Sequence, residues 1–288
     1  LKYAFIFQQK KAYPISVLCK VMQVSRSGFH AFLKRQGAPA CHESAILADT
    51  IREIFERSRH SYGSRRLCEA LRAKGHQMGR YAVRSLMRRL GLKVVQKSRF
   101  KATTHSRHKL PVAANLLNRD FQVKAPNQVW GADITCLRTD EGWLYLAVVI
   151  DLYSRKVVGW AMDHYMGTEL ALRALMMAYR HRRPGVGLLH HSDRGVQYAS
   201  QRYQAQLAAW GMVCSMSRKG NCWDNAVVER FFRSLKVERV GHQRYRARSA
   251  ARADVLDYIA MFYNSHRLHS YLGNRSPNDY EAAALQAA

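Results

Sequence analysis

The chain reads as an α/β core preceded by all-α helix-turn-helix units, and three observations carry that reading. Between about 128 and 217, short β-prone runs alternate with stretches of helical period, the order expected of a sheet with flanking helices. Before position 95 the apolar residues recur at helical spacing, and Gly75 and Gly91 stand where helices would stop. Charge is lopsided as well. Residues 1–119 hold 25 Lys and Arg against five Asp and Glu, a net of +20, whereas residues 120–288 reach only +7 of the total +27. A basic front joined to a less basic rear fits a nucleic-acid grip attached to a second module.

Taken in order, residues 14–35 predict two short helices about a turn at Gln23-Val24. Ile15, Val17, Leu18 and Val21 share a face, and Ser25 is a good N-cap for Arg26–Arg35. Such a pair is either a plain helical hairpin or a helix-turn-helix offering Arg26, Ser27 and His30 to a major groove. Residues 44–58 predict an amphipathic helix with Ile46, Leu47, Ile51, Ile54 and Phe55 on one side. Helices over 65–74 and 80–90 follow, carrying Arg65, Arg66, Arg72, Arg80, Arg84, Arg88 and Arg89. A solvated face normally mixes signs, yet Glu69 is the only acid between 57 and 119, so phosphate contact is the stronger reading. Residues 92–119 lose periodicity and read as a flexible basic linker with Lys93, Lys97, Arg99, Lys101, Arg107 and Lys109.

Strands are predicted over 128–137, 143–152, 156–162, 188–191 and 212–217, with helices over 167–181 and 201–210. The second strand is nearly all apolar, as a central strand covered on both faces should be. Asp224 is expected to cap a further helix running through Lys236. An amphipathic helix over 247–262 precedes a closing Arg- and His-bearing segment, which could touch DNA or pack back on the core.

Composition excludes several classes. No apolar run reaches eighteen residues and no polybasic amphipathic tail is present, so a membrane partner is not expected. The six cysteines are scattered without a C-x-x-C pair, and no signal peptide is visible; reduced thiols in a cytosol are expected. No G-x-S-x-G and no G-x-x-x-x-G-K-[ST] occurs. The chain starts at Leu1 rather than Met, which suggests a conceptual frame or a trimmed product.

Three acids stand out. Asp133 sits inside the first strand, Asp193 closes the apolar run 186–193, and Glu229 lies on the helix after 224, with thirty-five residues between the last two. A carboxylate in a hydrophobic strand is costly unless paired or metal-bound. Three acids converging from two strands and a helix repel unless a cation lies between them, and oxygen-only donors suit Mg²⁺ or Mn²⁺. Each alone reads better as an edge residue, a turn former or an exposed helix position; taken together, the three point to metal chemistry. Glu229, Arg233 and Lys236 fall at i, i+4 and i+7, one helix face. Asp151 and Asp163 are expected to be structural, and His190 and His191 to hydrogen-bond rather than bind zinc. Tyr198 and Trp223 either stack on bases or pack.

The segments 129–135, 142–160, 191–198 and 219–229 resemble the catalytic core of insertion-sequence transposases of the IS-three family, and the likeness extends over nearly the whole chain. That family is similar in turn to retroviral integrases. The resemblance implies an RNase H-like core with a mixed five-stranded sheet. It places a D-D-E triad on Asp133, Asp193 and Glu229, which would hold two Mg²⁺ or Mn²⁺ ions. It implies DNA contact by the helix-turn-helix units and by Lys236, with Arg233 beside it. The activity implied is metal-dependent cleavage and strand transfer at terminal inverted repeats. The partners implied are double-stranded DNA (transposon ends and target), a second copy or larger synaptic assembly, and an upstream-frame protein joined by frameshifting, in a bacterial cytoplasm at the nucleoid. The His/Cys zinc site of retroviral integrases has no matching spacing here, so no structural zinc is expected. The expected divisions are a helix-turn-helix at 1–40, a second DNA-binding domain at 41–95, linker 96–122, core 123–240 and a helical segment 241–288. An inactive DNA-binding regulator and an RNase H-type nuclease on RNA–DNA hybrids are the rival readings.

Overall fold

The computed structural model describes residues 2–37, 42–94, 110–219 and 221–286. It divides into two compact units, Leu1–Glu53 and Ile54–Ala288. In the first, α1 (Lys2–Gln9), α2 (Ile15–Val21) and α3 (Arg26–Gly37) close around Ile6, Leu18, Cys19 and Phe29. Ser25 caps α3 as its sequence suggests, its Oγ accepting from Gly28 N at 3.0 Å. Gly28 is also where α1 comes closest, since a Cβ there would meet the Tyr3 hydroxyl at 2.2 Å. The first helix has no counterpart in the sequence reading. Only Ile6 of α1 is buried while Phe5 and Phe7 face water, so no apolar stripe announces it.

The helix α4 (His42–Arg57) runs across the division of the two units. In the second unit come α5 (Ser64–Ala73) and α6 (Arg80–Arg89), which bury Leu67, Cys68, Leu71, Val83, Leu86 and Met87. Gly75 and Gly91 end them in the left-handed region, with φ of +87° and +68°. The linker positions Lys97, Arg99, Lys101, Arg107 and Lys109 lie outside the described residues. Its last part is not a loose tether. Leu116 N and Leu117 N donate to Ser215 Oγ at 3.0 and 3.2 Å, fastening the segment to the edge of the sheet.

That sheet has five strands in the order β3-β2-β1-β4-β5: β1 (Val129–Thr139), β2 (Gly142–Asp151), β3 (Val157–Asp163), β4 (Leu189–Ser192) and β5 (Val213–Met216). The first three are antiparallel neighbours, and β4 and β5 join parallel, giving the mixed α/β arrangement expected. Between β3 and β4 lies α7 (Thr168–Arg182), which packs tightly on the sheet; a Cβ at Gly159 would meet Ala174 O at 2.2 Å. Two helices, α8 (Val196–Ala199) and α9 (Gln201–Ala209), link β4 to β5, and the first of them is too short to show a period. Trp130, Leu170, Leu175, Tyr203 and Met216 lie in the core this forms.

After β5 come α10 (Ala226–Glu238), α11 (Arg248–Asp257), a π-helical turn at Tyr258–Tyr263, and α12 (Pro277–Gln286). The closing segment packs back on the core. Asn264 bonds both backbone polar groups of Val157, at 3.0 and 2.9 Å, and so covers the edge of β3. Glu281 of α12 takes a two-point bond from Arg182, at 2.7 and 2.9 Å. Arg267 is buried against Glu238 at 2.7 and 2.8 Å, and Tyr258 donates to the same carboxylate. Among the described residues no helix is long and apolar enough to cross a membrane.

Candidate active site

Parallel pairing brings two of the singled-out acids side by side. Ala132 of β1 pairs with Ser192 of β4, so Asp133 and Asp193 follow directly from paired positions on neighbouring strands. Each is half-buried and oriented by a backbone donor: Ile134 N bonds Asp133 Oδ1 at 2.7 Å, and Gly195 N bonds Asp193 Oδ1 at 2.8 Å. The third acid arrives on α10. Asn225, just before that helix, donates from Nδ2 to Ala132 O at 3.1 Å, and Gly131 leaves room for Val228, which a Cβ would meet at 2.9 Å. Val228, Phe231, Phe232 and Leu235 then fill the inner face, which turns Glu229 and Arg233 outward.

The electrostatics tie the three acids together. Burial pushes the Asp133 carboxyl well above its usual range; the charges of Asp193 and then Glu229 push the same way, while the Ile134 N–H and the Lys236 charge oppose them. The Glu229 carboxyl is raised by desolvation and by Asp193. Lys236, half-buried, faces Asp133 and Cys136, and burial lowers its pKa. Among the described residues no three His, Cys, Asp or Glu side chains already surround a common ion position. Donor chemistry nonetheless fits a hard divalent cation: three carboxylates, two of them half-buried, that destabilise one another's charged forms.

The neighbouring polar residues are structural. Asp151 is buried and accepts from Asn127 N and Tyr153 N, at 2.7 and 2.9 Å. Asp163 pairs with Arg173 and His164. His190 and His191 are buried, with pKa values lowered to about 3 and about 4 by desolvation, so both rings are neutral. They bond Tyr203, Ser215 and Ser217. Tyr198 is buried edge-on to Tyr203 and serves packing, whereas Trp223 is 68% exposed.

Asp224 departs from its expected role. It makes no cap: Asn225 precedes α10, and Asp224 lies in the turn Cys222–Asn225, fully buried, accepting from Arg218, Arg119 and Asn115. Two guanidinium groups within reach outweigh the weaker pull of a helix end. Local spacing could not show this, because Asn115 and Arg119 are more than a hundred residues away.

Of the candidate DNA contacts, Arg26, Ser27 and His30 are exposed along the start of α3, and Arg65, Arg84 and Arg88 are exposed on α5 and α6. Arg84 and Arg88 line a shallow cleft with Lys93. Arg66 differs from these. Its guanidinium turns inward, 3.4 Å from Glu238 and over the Tyr62 ring, because that buried carboxylate and the aromatic face hold it better than water does. Glu238, three residues after Leu235 and in line with the buried face of α10, and Arg267 of the closing segment organise this corner.

A mixed sheet with acids on β1, after β4 and on the helix after β5 defines an RNase H-like core of the integrase kind, preceded in the chain by helical segments. Family models agree: "Integrase core domain" matches residues 123–222 and, in a second model, 210–277, and "HTH-like domain" matches 42–100. The chain is 43% identical over 288 residues to "Transposase InsF for insertion sequence IS3A" of Escherichia coli (strain K12), covering 98% of each. It is 45% identical over 271 residues to the "Insertion element IS600 uncharacterized 31 kDa protein" of Shigella sonnei, covering 94% of this chain and all of that one. Among solved structures, the catalytic core domain of BIV integrase aligns with TM-score 0.42 at 18% identity, over 56% of this chain and 97% of that one. The chain belongs to the IS3 family of insertion-sequence transposases.

Proposed function

We infer that the protein cuts and joins DNA at the ends of its own insertion sequence, using Asp133, Asp193 and Glu229 to hold divalent Mg²⁺ or Mn²⁺, two ions in the working complex. The observation that carries this reading is the placement of Asp133 and Asp193 next to paired positions of β1 and β4, with the Glu229-bearing α10 fastened to Ala132 through Asn225. Such ions, when bound, lower the pKa of an attacking oxygen and offset charge on the leaving one. The backbone N–H groups of Ile134 and Gly195 hold the two strand-borne carboxylates in fixed directions. Glu229 is exposed, so a side-chain rotation on α10 completes the donor set. Lys236 offers its ammonium beside Asp133, where a DNA phosphate would lie. Water attacks the phosphodiester at the element's end; the freed 3′-OH then attacks a second phosphate.

DNA is gripped by the exposed basic residues of the helical units, Arg26, Ser27, His30, Arg65, Arg84 and Arg88, with Arg233 near the site. Two ends must be held together, so the working form is a dimer or larger synaptic assembly, with an upstream-frame protein as a further partner, in the bacterial cytoplasm at the nucleoid. We place the functional divisions at 40, 95, 122 and 240.

Purified wild-type protein should nick a terminal inverted repeat in Mg²⁺ or Mn²⁺, and Asp133→Asn, Asp193→Asn or Glu229→Gln should each lower the rate by about 10³-fold or more. Undiminished nicking by Asp133→Asn would sink the metal-holding role. Preference for an RNA–DNA hybrid over the duplex end would favour the nuclease rival.

A further inference from the structure

Trp223 stands out to solvent next to a well-bonded pair of residues. Its side chain is 68% exposed, yet the next two residues, Asp224 and Asn225, are buried and bonded. Asn221 Oδ1 also accepts from Trp223 N, at 3.2 Å. Asp224 is the hub. It draws in Arg218, by two side-chain bonds at 2.8 and 3.0 Å, and Arg119 at 2.8 Å, while both arginines keep close to half of their side chains in water. One carboxylate against two guanidinium groups leaves the corner positive. It is also fastened to both acid-bearing strands. Ser217, next to Arg218, donates its N–H to Ser192 O, beside Asp193. Asn225, after Asp224, bonds Ala132 O, beside Asp133. An exposed aromatic ring one residue from a carboxylate that holds two half-exposed guanidinium groups has the composition of a single-strand binding site, in which a base stacks and phosphates lie alongside.

We propose that Trp223, Arg218 and Arg119 form a site for unpaired nucleotides at the DNA end, with the indole stacking on an unstacked base and the guanidinium groups contacting the adjoining phosphates. The inference rests on the reading of Asp133, Asp193 and Glu229 as the cutting site only for its purpose, which is to hold the end open beside them. Its test therefore uses binding alone. The full chain is titrated, in EDTA, with two duplexes of its terminal repeat, one fully paired and one with the last few pairs mismatched. Stacking on one base supports a preference of about tenfold for the frayed end. Trp223→Ala should abolish that preference while leaving affinity for the paired duplex unchanged, and Trp223→Phe should keep most of it. No preference in the wild type, a preference surviving Trp223→Ala, or an equal loss on both duplexes overturns the proposal. None of these outcomes depends on whether Asp133→Asn abolishes cutting.

Discussion

The same core contains two kinds of acid. Asp133 on the central strand and Glu229 on α10 are pushed up by desolvation and by neighbouring carboxylates. Glu238, Glu281 and Asp224, by contrast, are pulled down by arginines that overcome the desolvation they suffer. Arg267 bonds Glu238 at two points, Arg182 bonds Glu281 at two points, and Arg218 and Arg119 share Asp224. The paired acids hold the fold together, and the crowded ones oppose it. A protein keeps like charges together only where something else it binds relieves them.

Substitutions in each set test that contrast directly. The largest effect should come from the crowded set, where Glu229→Gln costs about 10³-fold in cutting yet leaves a folded protein, read by circular dichroism beside the nicking assay. Next is the paired set. Glu238→Ala strands Arg267 in the interior and should cost about 3–5 kcal/mol of stability, read by urea unfolding. A smaller gain of opposite sign is expected from Asp133→Asn without metal. It removes a half-buried charge beside Asp193 and should raise Tm by a few degrees, while abolishing the rise that Mn²⁺ gives the wild type. A fall in Tm of the metal-free variant would remove the electrostatic argument for the site.

The two sets also answer pH oppositely. For Glu238 and Glu281, held below their ordinary value of 4.5, the stabilisation is present above that value and lost as pH falls through the lowered one. For Asp133, raised above 3.8, the folded state binds its proton more tightly than the unfolded one, so metal-free stability declines as pH rises through that window. Protons then compete with metal, and Mn²⁺ affinity measured by calorimetry should weaken as pH falls, beginning above the usual carboxylate range. The smallest effect is expected on the exposed helices. Arg88→Gln should weaken DNA binding evenly across sequences and reduce the log–log salt slope by about one. Arg66→Gln, by contrast, should leave that slope unchanged, because its guanidinium is held by Glu238.

The strands and most helices were legible because each rests on local pattern, whereas the three acids, bland one by one, stood out only together and through the family resemblance. The apolar run 143–150 has to be an inner strand, Gly75 and Gly91 have to end helices, and Ser25 has to begin one. What tertiary structure alone decided is where the charges point. Arg66 and Arg84 look alike along the chain, and one turns to a carboxylate 172 residues away while the other faces water. Asp224 has the spacing of a cap and becomes a hub for Arg119, and the closing segment covers β3 through Asn264 rather than reaching outward. Burial follows from periodicity because hydrophobic contact is non-directional, whereas an ion pair or a hydrogen bond needs a particular partner at a particular angle, and only the folded chain supplies it.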